Sequence, residues 1–464
     1  MKHASLVCFG LPFFGLLFVV CAGRATAAGT QPNIVVILAD DLGFGDLSCY
    51  GNQLVATPHI DRMASEGSRF TQFYVAAPIC SPSRAALITG QYPGRWRITS
   101  YLQTRAGNRA CGQADFLDAT APSLPRSLKQ AGYATAHIGK WHLGGGRDVA
   151  DAPRFSAYGY DLGLGTWESP EPAPGLGVKF TPWDQRTEPG QVPRHRRTEW
   201  MVDRTLEFLE QNPNRPCFVN LWLDDTHTPY RPSREQLAAV GAADPPAEGD
   251  GYRAVLHEMD SQLGRLLEQL RKPPHAGRTL VLFLGDNGAL PTFKQQRVAG
   301  LRGSKLSLYE GGIREPLVAW WPGRVPAGRV DPTTVISSLD FFPTLCAIAG
   351  AAMPSDYCPD GEEMSRALLG AEVTREKPIC WEYGRNAKAF AYPEEPYHRS
   401  PNLAIRAGAW KLLVDTDGTN VQLFDIAADP NETNDRAGQQ QETVARMREQ
   451  VIRWRNGLPS APLP

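Results

Sequence analysis

The stretch PNIVVILADD, residues 32–41, decides the fold of this chain. Residues 34–38 form a continuous apolar, β-branched run, which is typical of a strand buried on both faces of a parallel or mixed sheet. Two carboxylates, Asp40 and Asp41, follow that run directly. The stretch therefore predicts a central strand that delivers acidic side chains to one edge of a sheet.

Three more runs have the same character and also end in polar residues. Residues 133–138 precede Lys140 and His142, residues 217–223 precede Asp224, Asp225 and His227, and residues 279–284 precede Asp286 and Asn287. Helical periodicity at residues 198–211 and 252–270 separates the runs. The alternation predicts an α/β fold with a large, mixed but mostly parallel sheet sandwiched by helices. Ligands of such sheets bind beyond the carboxyl ends of the strands.

Length and composition limit the class of protein. The 464 residues include 42% apolar and 21% charged residues, with 44 Gly and 39 Pro, and these values exclude coiled coil, collagen and bulk disorder. The formal net charge is −1 and no basic stripe stands out, so a nucleic-acid partner is not expected.

The amino terminus has the features of a secretory signal. Lys2, an apolar stretch over residues 6–22 and the sequence Ala25-Thr26-Ala27 predict a signal peptide over residues 1–27. We therefore expect an exported protein, periplasmic or secreted, with no membrane span after cleavage. An uncleaved anchor and a lipoprotein at Cys21 are the alternatives.

Cysteine usage depends on that cleavage. Nine cysteines become seven once residues 1–27 are removed, and export permits disulfides. Cys358 and Cys380 are plausible partners, whereas Cys217 and Cys346 lie in apolar runs and are interpreted as core thiols.

The pattern changes after about residue 372. Residues 378–383, 403–413 and 421–426 are predicted to be short strands, and Asp417-Gly418 is a turn signal. An amphipathic helix is predicted over residues 442–454. We expect a large α/β domain over residues 28–372 and a smaller carboxy-terminal domain with an antiparallel sheet and a closing helix over residues 373–464.

Two segments are rich in loop-forming residues. Residues 162–196 contain many Gly and Pro residues, and residues 96–122 carry Trp96 and several arginines. We expect residues 162–196 to be a long insertion without regular structure, which is usually functional or mobile.

The segment Cys80-Ser81-Pro82-Ser83-Arg84 has the features of a helix start. Pro82 is tolerated in a first turn and Ser83 is a good cap, so Cys80 is expected at the amino end of a helix, where the exposed N–H groups favour an anion. Taken alone, Cys80 is equally well explained as a small buried core residue.

Together with motifs elsewhere, this segment resembles the type I sulfatases, which are part of the alkaline phosphatase superfamily. The matching residues span about residues 32–435: Pro32-Asn33-Ile34 to Asp40-Asp41-Leu42-Gly43, Cys80-x-Pro82-x-Arg84, Leu87-x-Thr89-Gly90-x-Tyr92-Pro93-x-Arg95, Gly139-Lys140-Trp141-His142-Leu143-Gly144, Asp286-Asn287-Gly288, Lys305 with Glu310-Gly311-Gly312-x-Arg314, Ile405-Arg406 to Trp410-Lys411-Leu412, and Leu423-Phe424-Asp425 to Asp429-Pro430.

The resemblance implies a modified residue and a metal. In the family the cysteine at the position of Cys80 is oxidised to formylglycine by a formylglycine-generating enzyme, whose target here is residues 80–84. One Ca²⁺ ion is implied, held by Asp40, Asp41, Asp286, Asn287 and residue 80. Oxygen ligands of this kind suit a hard cation. Asp40 and Asp41 alone would also fit a capped loop, but the second acid–amide pair favours the metal.

The resemblance also implies catalytic roles. A hydroxyl of the hydrated aldehyde attacks sulfur, His227 and Lys305 protonate the leaving oxygen and hold the sulfate, and His142 then removes a proton so that the aldehyde reforms. Lys140 and Arg84 supply fixed positive charge. Ser169 is a weaker candidate for a substrate contact. Outside the motif, Lys140 would be interpreted as a surface lysine and His142 as a core histidine.

The resemblance leaves the substrate open. A sulfate monoester of a carbohydrate is favoured by export and by the variable loops, whereas a phosphonate or phosphodiester hydrolase and a catalytically inactive sugar-binding relative are the alternatives. The chain departs from the family pattern at Gly285, where a serine is frequent, and at Tyr230, where a second histidine is frequent.

Overall fold

The computed structural model describes Met1, residues 31–166, 190–386 and 388–459, and the backbone of Lys179–Phe180. Residues Gln31–Pro464 cluster as one unit, which is the part described below. The predicted signal segment and Ser169 lie outside the described residues.

The strands and helices alternate over most of the chain. The strands are β1 (Asn33–Ala39), β2 (Ser68–Tyr74), β3 (Ala134–Lys140), β4 (Leu162–Thr166), β5 (Lys179–Phe180), β6 (Gln191–Val192), β7 (Cys217–Leu223), β8 (Thr279–Gly285), β9 (Arg314–Trp320), β10 (Arg329–Asp331), β11 (Ile336–Ser337), β12 (Ile379–Glu382), β13 (Leu403–Ala407), β14 (Trp410–Val414) and β15 (Gln422–Asp425). The helices are α1 (Pro58–Glu66), α2 (Cys80–Thr89), α3 (Arg105–Cys111), α4 (Leu124–Gln130), α5 (Arg197–Gln211), α6 (Arg234–Ala239), α7 (Asp250–Leu270), α8 (Glu310–Ile313), α9 (Phe341–Ala349), α10 (Ser365–Leu368) and α11 (Gln441–Asn456).

The large sheet has the predicted mixed, mostly parallel topology. Its strand order is β10-β2-β9-β8-β1-β7-β3-β4, with β11 beside β2. The four strands predicted from sequence, β1, β3, β7 and β8, are neighbours in the centre and all run parallel. Among the strands that the structure describes in this sheet, only β9 pairs antiparallel, with β8 on one side and β2 on the other. The carboxyl ends of the four central strands therefore meet at one edge.

Helices cover both faces of this sheet, as predicted. Along β1, Ile34 and Val36 pack into the apolar cluster that contains α2, α4 and α9, whereas Val35 and Ile37 pack into the cluster that contains α1, α5 and α7. Every residue of the run is buried, which explains why it is apolar at consecutive rather than alternate positions.

The second sheet is antiparallel, in the order β12-β13-β14-β15, and α11 packs against it. The single strand predicted over residues 403–413 is wrong in detail, because a turn at Gly408, with φ +60°, divides it into the hairpin β13–β14. Gly418 adopts φ +84° and its N–H donates to Asp415 O at 2.9 Å, so the predicted turn joins β14 to β15. The domain boundary at residue 372 stays a prediction.

The two loop-rich segments contain regular structure. Residues 162–166 form β4, which pairs parallel with β3 at the edge of the large sheet, and β6 pairs with β5, so the expectation of an insertion without regular structure is wrong there. Helix α3 lies within residues 96–122 and is capped by Thr104, whose side chain accepts from Gly107 N–H.

The cysteines in the described part of the chain are all free thiols. The expected Cys358–Cys380 bridge is therefore wrong: Cys358 is exposed in a loop and Cys380 is buried in β12. Cys217 and Cys346 are buried core thiols, as predicted.

Among the described residues, no helix has the length and the apolar composition that crossing a membrane requires.

Candidate active site

The carboxyl ends of the central strands bring the predicted metal ligands together. Asp40 and Asp41 follow β1, while Asp286 and Asn287 follow the adjacent β8. Asp41 N–H donates to Asp286 Oδ1 at 3.0 Å, which ties the two strand ends to each other. Lys140 ends β3, two strands away, and its side chain reaches the same edge.

Cys80 is the first residue of α2, and it faces this edge. Ile79 occupies the cap position, so the expectation that Ser83 caps the helix is wrong; Pro82 lies in the first turn, as predicted. All ten residues of α2 are buried. Cys80 Sγ lies 3.6 Å from Lys140 Nζ.

Buried cations surround the acids on the Cys80 side. Arg84 Nη2 lies 2.7 Å from Asp286 Oδ2 and 3.2 Å from Asp40 Oδ1, and Lys140 Nζ lies 2.5 Å from Asp40 Oδ2. Burial alone would raise the pKa of Asp40, but Lys140 and the other neighbouring cations hold that pKa well below its ordinary value. Asp40 therefore stays ionised in the protein interior.

Lys305 and His227 lie on the other side, next to Asp41. Lys305 Nζ is 2.7 Å from Asp41 Oδ2, and His227 Nε2 is 3.6 Å from the same oxygen and 3.5 Å from Lys305 Nζ. Burial alone would lower the pKa of Lys305, but the Asp41 carboxylate outweighs it and the pKa is raised. Lys305 is therefore a charged ammonium.

His227 is neutral in this arrangement. Burial lowers its pKa to about 4, although Asp41 opposes the shift. Its Nδ1 lies 2.6 Å from the Thr228 carbonyl oxygen, so the tautomer is assigned with the proton on Nδ1. Nε2 is then the nitrogen that faces Lys305 and Asp41.

His142 is tied to the start of α2. Its Nε2 lies 3.0 Å from the Leu102 carbonyl oxygen and so carries the proton, and Leu102 N–H donates to Ser81 Oγ at 2.9 Å. Burial, followed by the charges of Lys140 and Arg84, lowers the pKa of His142 well below its ordinary value. The imidazole is therefore neutral, and its unprotonated Nδ1 carries the lone pair that could accept a proton, although the lowered pKa makes it a weaker base than a free histidine.

Three residues at or next to the site have left-handed backbone conformations. Asp41, His142 and Leu306, next to Lys305, all adopt positive φ angles, of 56°, 53° and 73° respectively. Left-handed conformations of residues other than glycine are uncommon and cluster at functional sites.

The donor set fits a hard cation. Asp40 Oδ1 and Asn287 Oδ1 are buried and accept no hydrogen bond from the described residues. Ligand atoms of Asp40, Cys80 and Asp286 lie within 4.8 Å of one another. Burial and the Asp40 charge raise the pKa of Asp286 to about 7, and a cation between these carboxyls would favour the ionised form. Oxygen donors in this number suit Ca²⁺.

Arg297 was not predicted from the sequence, although it holds the backbone of the metal-ligand candidate Asp41. Its Nη2 donates to the Asp41 carbonyl oxygen at 2.6 Å and pairs with Asp46 at 2.8 Å, and the guanidinium lies 4.1 Å from the ring centre of Tyr252. Arg297 Nη1 also donates to Tyr230 OH at 3.2 Å. Tyr230, which stands where the family frequently has a second histidine, therefore contacts Arg297. Arg297 lies in none of the motifs quoted above, and no pattern in the sequence around it indicates a role at the site.

The glycine at position 285 has a local explanation. A Cβ atom there would lie 2.5 Å from Glu315 Oε2 and 2.8 Å from Leu42 O. The buried Glu315 side chain fills the space that a serine would need, and the metal-ligand candidates that follow are unaffected.

Two family models match the chain. The model described as Sulfatase matches residues 32–351, and the model described as N-sulphoglucosamine sulphohydrolase, C-terminal, matches residues 304–457. Together they cover both sheets.

Characterised relatives and a solved structure agree with this match. The chain is 35% identical to N-acetylgalactosamine-6-sulfatase of Canis lupus familiaris, over 82% of this chain and 75% of the relative. It is 33% identical to arylsulfatase A of Homo sapiens, over 89% of this chain and 80% of the relative. The crystal structure of Ps i-CgsB in complex with k-i-k-neocarrahexaose superposes with a TM-score of 0.75 at 27% identity, covering 92% of this chain and 93% of that one.

The fold and these matches define the protein as a sulfuric ester hydrolase. The chain belongs to the sulfatase family, and its chemistry is the hydrolysis of sulfate esters.

Proposed function

We propose that this enzyme hydrolyses sulfate monoesters of carbohydrates, using a formylglycine residue formed from Cys80 and one calcium ion. The observation that carries the proposal is the convergence of oxygen-donor side chains and buried cations on Cys80 at one edge of the large sheet.

The metal would be held by Asp40, Asp41, Asp286 and Asn287, together with residue 80. When bound, Ca²⁺ would neutralise part of the acid cluster and polarise an oxygen of the sulfate. Asn287 offers a buried oxygen that accepts no hydrogen bond from the described residues, which supports this assignment. Asp40 Oδ1 also accepts no hydrogen bond from them, although it lies 3.2 Å from the Arg84 guanidinium.

A modified residue at position 80 is supported by the properties of the thiol there. Burial raises the pKa of Cys80 to about 12, despite Lys140 and Lys305 nearby, and a protonated thiol is a weak nucleophile. A hydrated formylglycine would offer one hydroxyl for attack and a second for release of sulfate, whereas a serine or cysteine would be left with a stable ester. The formylglycine-generating enzyme is the partner that residues 80–84 imply.

Arg84 and Lys140 would stabilise negative charge on the nucleophile side. Both side chains are buried and held by Asp40 and Asp286, so they need no rearrangement when charge develops. His142 is neutral, and its unprotonated Nδ1 would accept the proton of the second hydroxyl.

His227 and Lys305 would act on the leaving-group side. Lys305 is charged and would bind a sulfate oxygen, while His227 Nε2 would deliver a proton to the leaving oxygen. The negative charge of a bound sulfate ester favours protonation of His227, which is neutral without it.

The carbohydrate class is supported by the relatives. N-acetylgalactosamine-6-sulfatase carries a sugar in its name, and the Ps i-CgsB structure contains an oligosaccharide. The predicted signal segment supports an exported enzyme, periplasmic or secreted, with access to such polymers.

The modification is tested by mass spectrometry of the peptide that contains residue 80, from protein made in its native host. We expect the mass of formylglycine and loss of turnover in Cys80→Ala, with an unchanged melting temperature. Cys358→Ala, which removes an exposed thiol, is the matched control. An unmodified thiol in active enzyme, or turnover above about a tenth of wild type in Cys80→Ala, would refute the nucleophile; a tenth corresponds to only about 1.4 kcal/mol.

The substrate class is tested by kinetics. We expect higher kcat/KM on 4-nitrophenyl sulfate than on the matched phosphate and phosphonate esters, and turnover of sulfated mono- or oligosaccharides in a defined set. Faster hydrolysis of the phosphorus esters would favour the phosphonate or phosphodiester hydrolase instead.

A further inference from the structure

His227 is carried by a short turn at the end of β7. The turn spans residues 224–227 and is closed by a hydrogen bond from His227 N–H to the Asp224 carbonyl oxygen at 3.3 Å. Thr226 Oγ1 donates to the Asp40 carbonyl oxygen at 2.6 Å, which joins the turn to the metal-ligand candidates. The position of the His227 ring therefore depends on how firmly this turn is held.

Arg194 donates hydrogen bonds to both ends of that turn. Arg194 Nη2 donates to the Asp224 carbonyl oxygen at 2.7 Å and to the His227 carbonyl oxygen at 2.9 Å. Its Nη1 lies 3.2 Å from the Asp224 carboxylate. Arg194 is 7% exposed, so water competes little for these contacts.

The Asp224 carboxylate is itself fixed. Arg197, the first residue of α5, places its Nη2 2.8 Å from the same Asp224 oxygen, and its side chain is fully buried. Burial alone would raise the pKa of Asp224, but Arg197 and Arg194 lower it, so the carboxylate is charged. The fork of Arg194 thus bridges a fixed anion and two carbonyl oxygens, an arrangement that the single ammonium of a lysine cannot reproduce.

We propose that Arg194 is a positioning residue for proton delivery to the leaving group, acting through the backbone of the His227 turn. This inference rests on the proposed function, in which His227 protonates the leaving oxygen. Arg194 lies outside every motif of the sequence, in the short segment between β6 and α5, and the contacts given above reach the reacting groups through the His227 turn.

The inference predicts a dependence on the leaving group. Protonation matters little when the departing phenolate is stable, as in 4-nitrophenyl sulfate, and matters greatly for a basic oxygen, as in phenyl sulfate or a sugar sulfate. A small displacement of the acid therefore penalises poor leaving groups selectively, whereas a general loss of stability or of metal would slow all esters alike.

The experiment measures kcat/KM of the full-length, modified enzyme on a series of substituted phenyl sulfates. For Arg194→Met we expect a loss of about 30-fold or more on phenyl sulfate and of less than about 3-fold on 4-nitrophenyl sulfate. His227→Ala should show the same selectivity, and the double variant should lose little more than His227→Ala alone.

Arg196→Met is the matched control. Arg196 lies two residues away, its side chain is 60% exposed and it pairs only with Glu199 among the contacts described, at 2.7 Å. It should retain the wild-type dependence on the leaving group. Arg194→Lys and Asp224→Asn provide second variants if Arg194→Met does not fold, and both should show the same selectivity in milder form.

The outcomes separate this inference from the proposed function. Equal losses on all esters in the Arg194 and Asp224 variants, or additive losses with His227→Ala, would overturn the inference while leaving the sulfatase active. A wild-type enzyme that prefers phosphorus esters would overturn the proposed function, and the leaving-group series would then be run on those esters.

Discussion

At the scale of single residues, the orientation of the Asn287 side-chain amide distinguishes a metal-binding site from a cluster of polar side chains that only bond to one another. Asn287 Nδ2 donates to Asp41 Oδ1 at 2.8 Å and to the Gly288 carbonyl oxygen at 3.1 Å. These donations fix the amide so that Oδ1, the atom able to bind a cation, is left without a donor among the described residues.

Replacing Asn287 with leucine should remove the response to calcium. With free calcium at 100 times its Kd, binding to the native state adds about 2.7 kcal/mol to the free energy of unfolding of the wild type. We expect a chelator to lower the melting temperature of the wild type, calcium to restore it, and neither to change it in Asn287→Leu. Differential scanning fluorimetry measures this.

Asn434→Leu, at an exposed position, is the control and should respond as the wild type does. A full calcium response in Asn287→Leu would contradict the ligand assignment.

The sequence predicted the site residues that follow apolar runs or lie in motifs. It did not predict the residues that hold these segments in place through hydrogen bonds from elsewhere in the chain. Asp40, Lys140 and Asp286 could be grouped because each follows an apolar run whose carboxyl end reaches the same edge of the sheet. Arg194 and Arg297 could not, since each acts through backbone carbonyl oxygens of a segment far away in the chain, and such contacts impose no local pattern.

At the scale of elements, burial decides which strands could be recognised. The four central strands are buried along almost their whole length and are mostly apolar, because helices cover both of their faces. Strands β2 (SRFTQFY) and β9 (REPLVAW) begin with polar residues and were not predicted, although they complete the sheet on the β8 side. The turn within residues 403–413 was not predicted from the sequence, because Gly408 and its small neighbours interrupt the apolar run only briefly.

Strand β3 carries a buried histidine whose charge opposes folding. The His137 ring stacks on Phe155 at 5.1 Å and lies edge-on to Trp222 at 4.9 Å. Burial lowers the pKa of His137 to about 3, below an unfolded value of about 6.5. Between these two values the unfolded chain binds more protons than the native protein, so acid favours unfolding.

His137→Phe should make the protein less sensitive to acid. One such histidine costs about 1.4 kcal/mol of unfolding free energy per pH unit as the pH falls from about 6 to about 4. We expect the substitution to reduce the slope of unfolding free energy against pH by about that amount, as measured by urea unfolding at several pH values.

Phe208→Leu is the control, because it removes a buried ring of α5 and leaves His137 and the rings that pack on it in place. It should lower stability equally across the pH range. A slope unchanged in His137→Phe would show that other groups cause the acid sensitivity.

At the scale of the whole molecule, buried charges join the second sheet to the active-site segment. Lys411 of β14 lies 2.9 Å from Glu310, at the start of α8, and 2.9 Å from Glu432, and all three side chains are fully buried. Glu310 N–H donates to Glu432 Oε2 at 2.6 Å. Because Glu310 follows Lys305 by five residues, the carboxy-terminal sheet helps to hold the segment that carries this proposed catalytic lysine.

Lys411→Met should destabilise the protein and disturb the active site together. Removing one partner of a buried ion cluster costs about 3–5 kcal/mol. Glu432 would lose the buried cation it pairs with, while Glu310 would keep Arg314, at 3.5 Å. We expect a lower melting temperature and reduced turnover on sulfate esters.

Glu432→Gln combined with Lys411→Met should recover part of the stability, because it removes the acid that the loss of Lys411 leaves without its paired cation. A double variant less stable than Lys411→Met would contradict this account of the cluster.

The complete burial of α2 has a consequence for how the enzyme is made. Cys80 is only 2% exposed and its helix is enclosed by the rest of the protein, so a second enzyme cannot reach the thiol once the chain has folded. The proposed oxidation must therefore compete in time with folding, during or soon after synthesis. Under this proposal, a molecule that folds before the oxidation would lack the nucleophile, and the specific activity of a preparation would depend on the fraction of chains oxidised before folding.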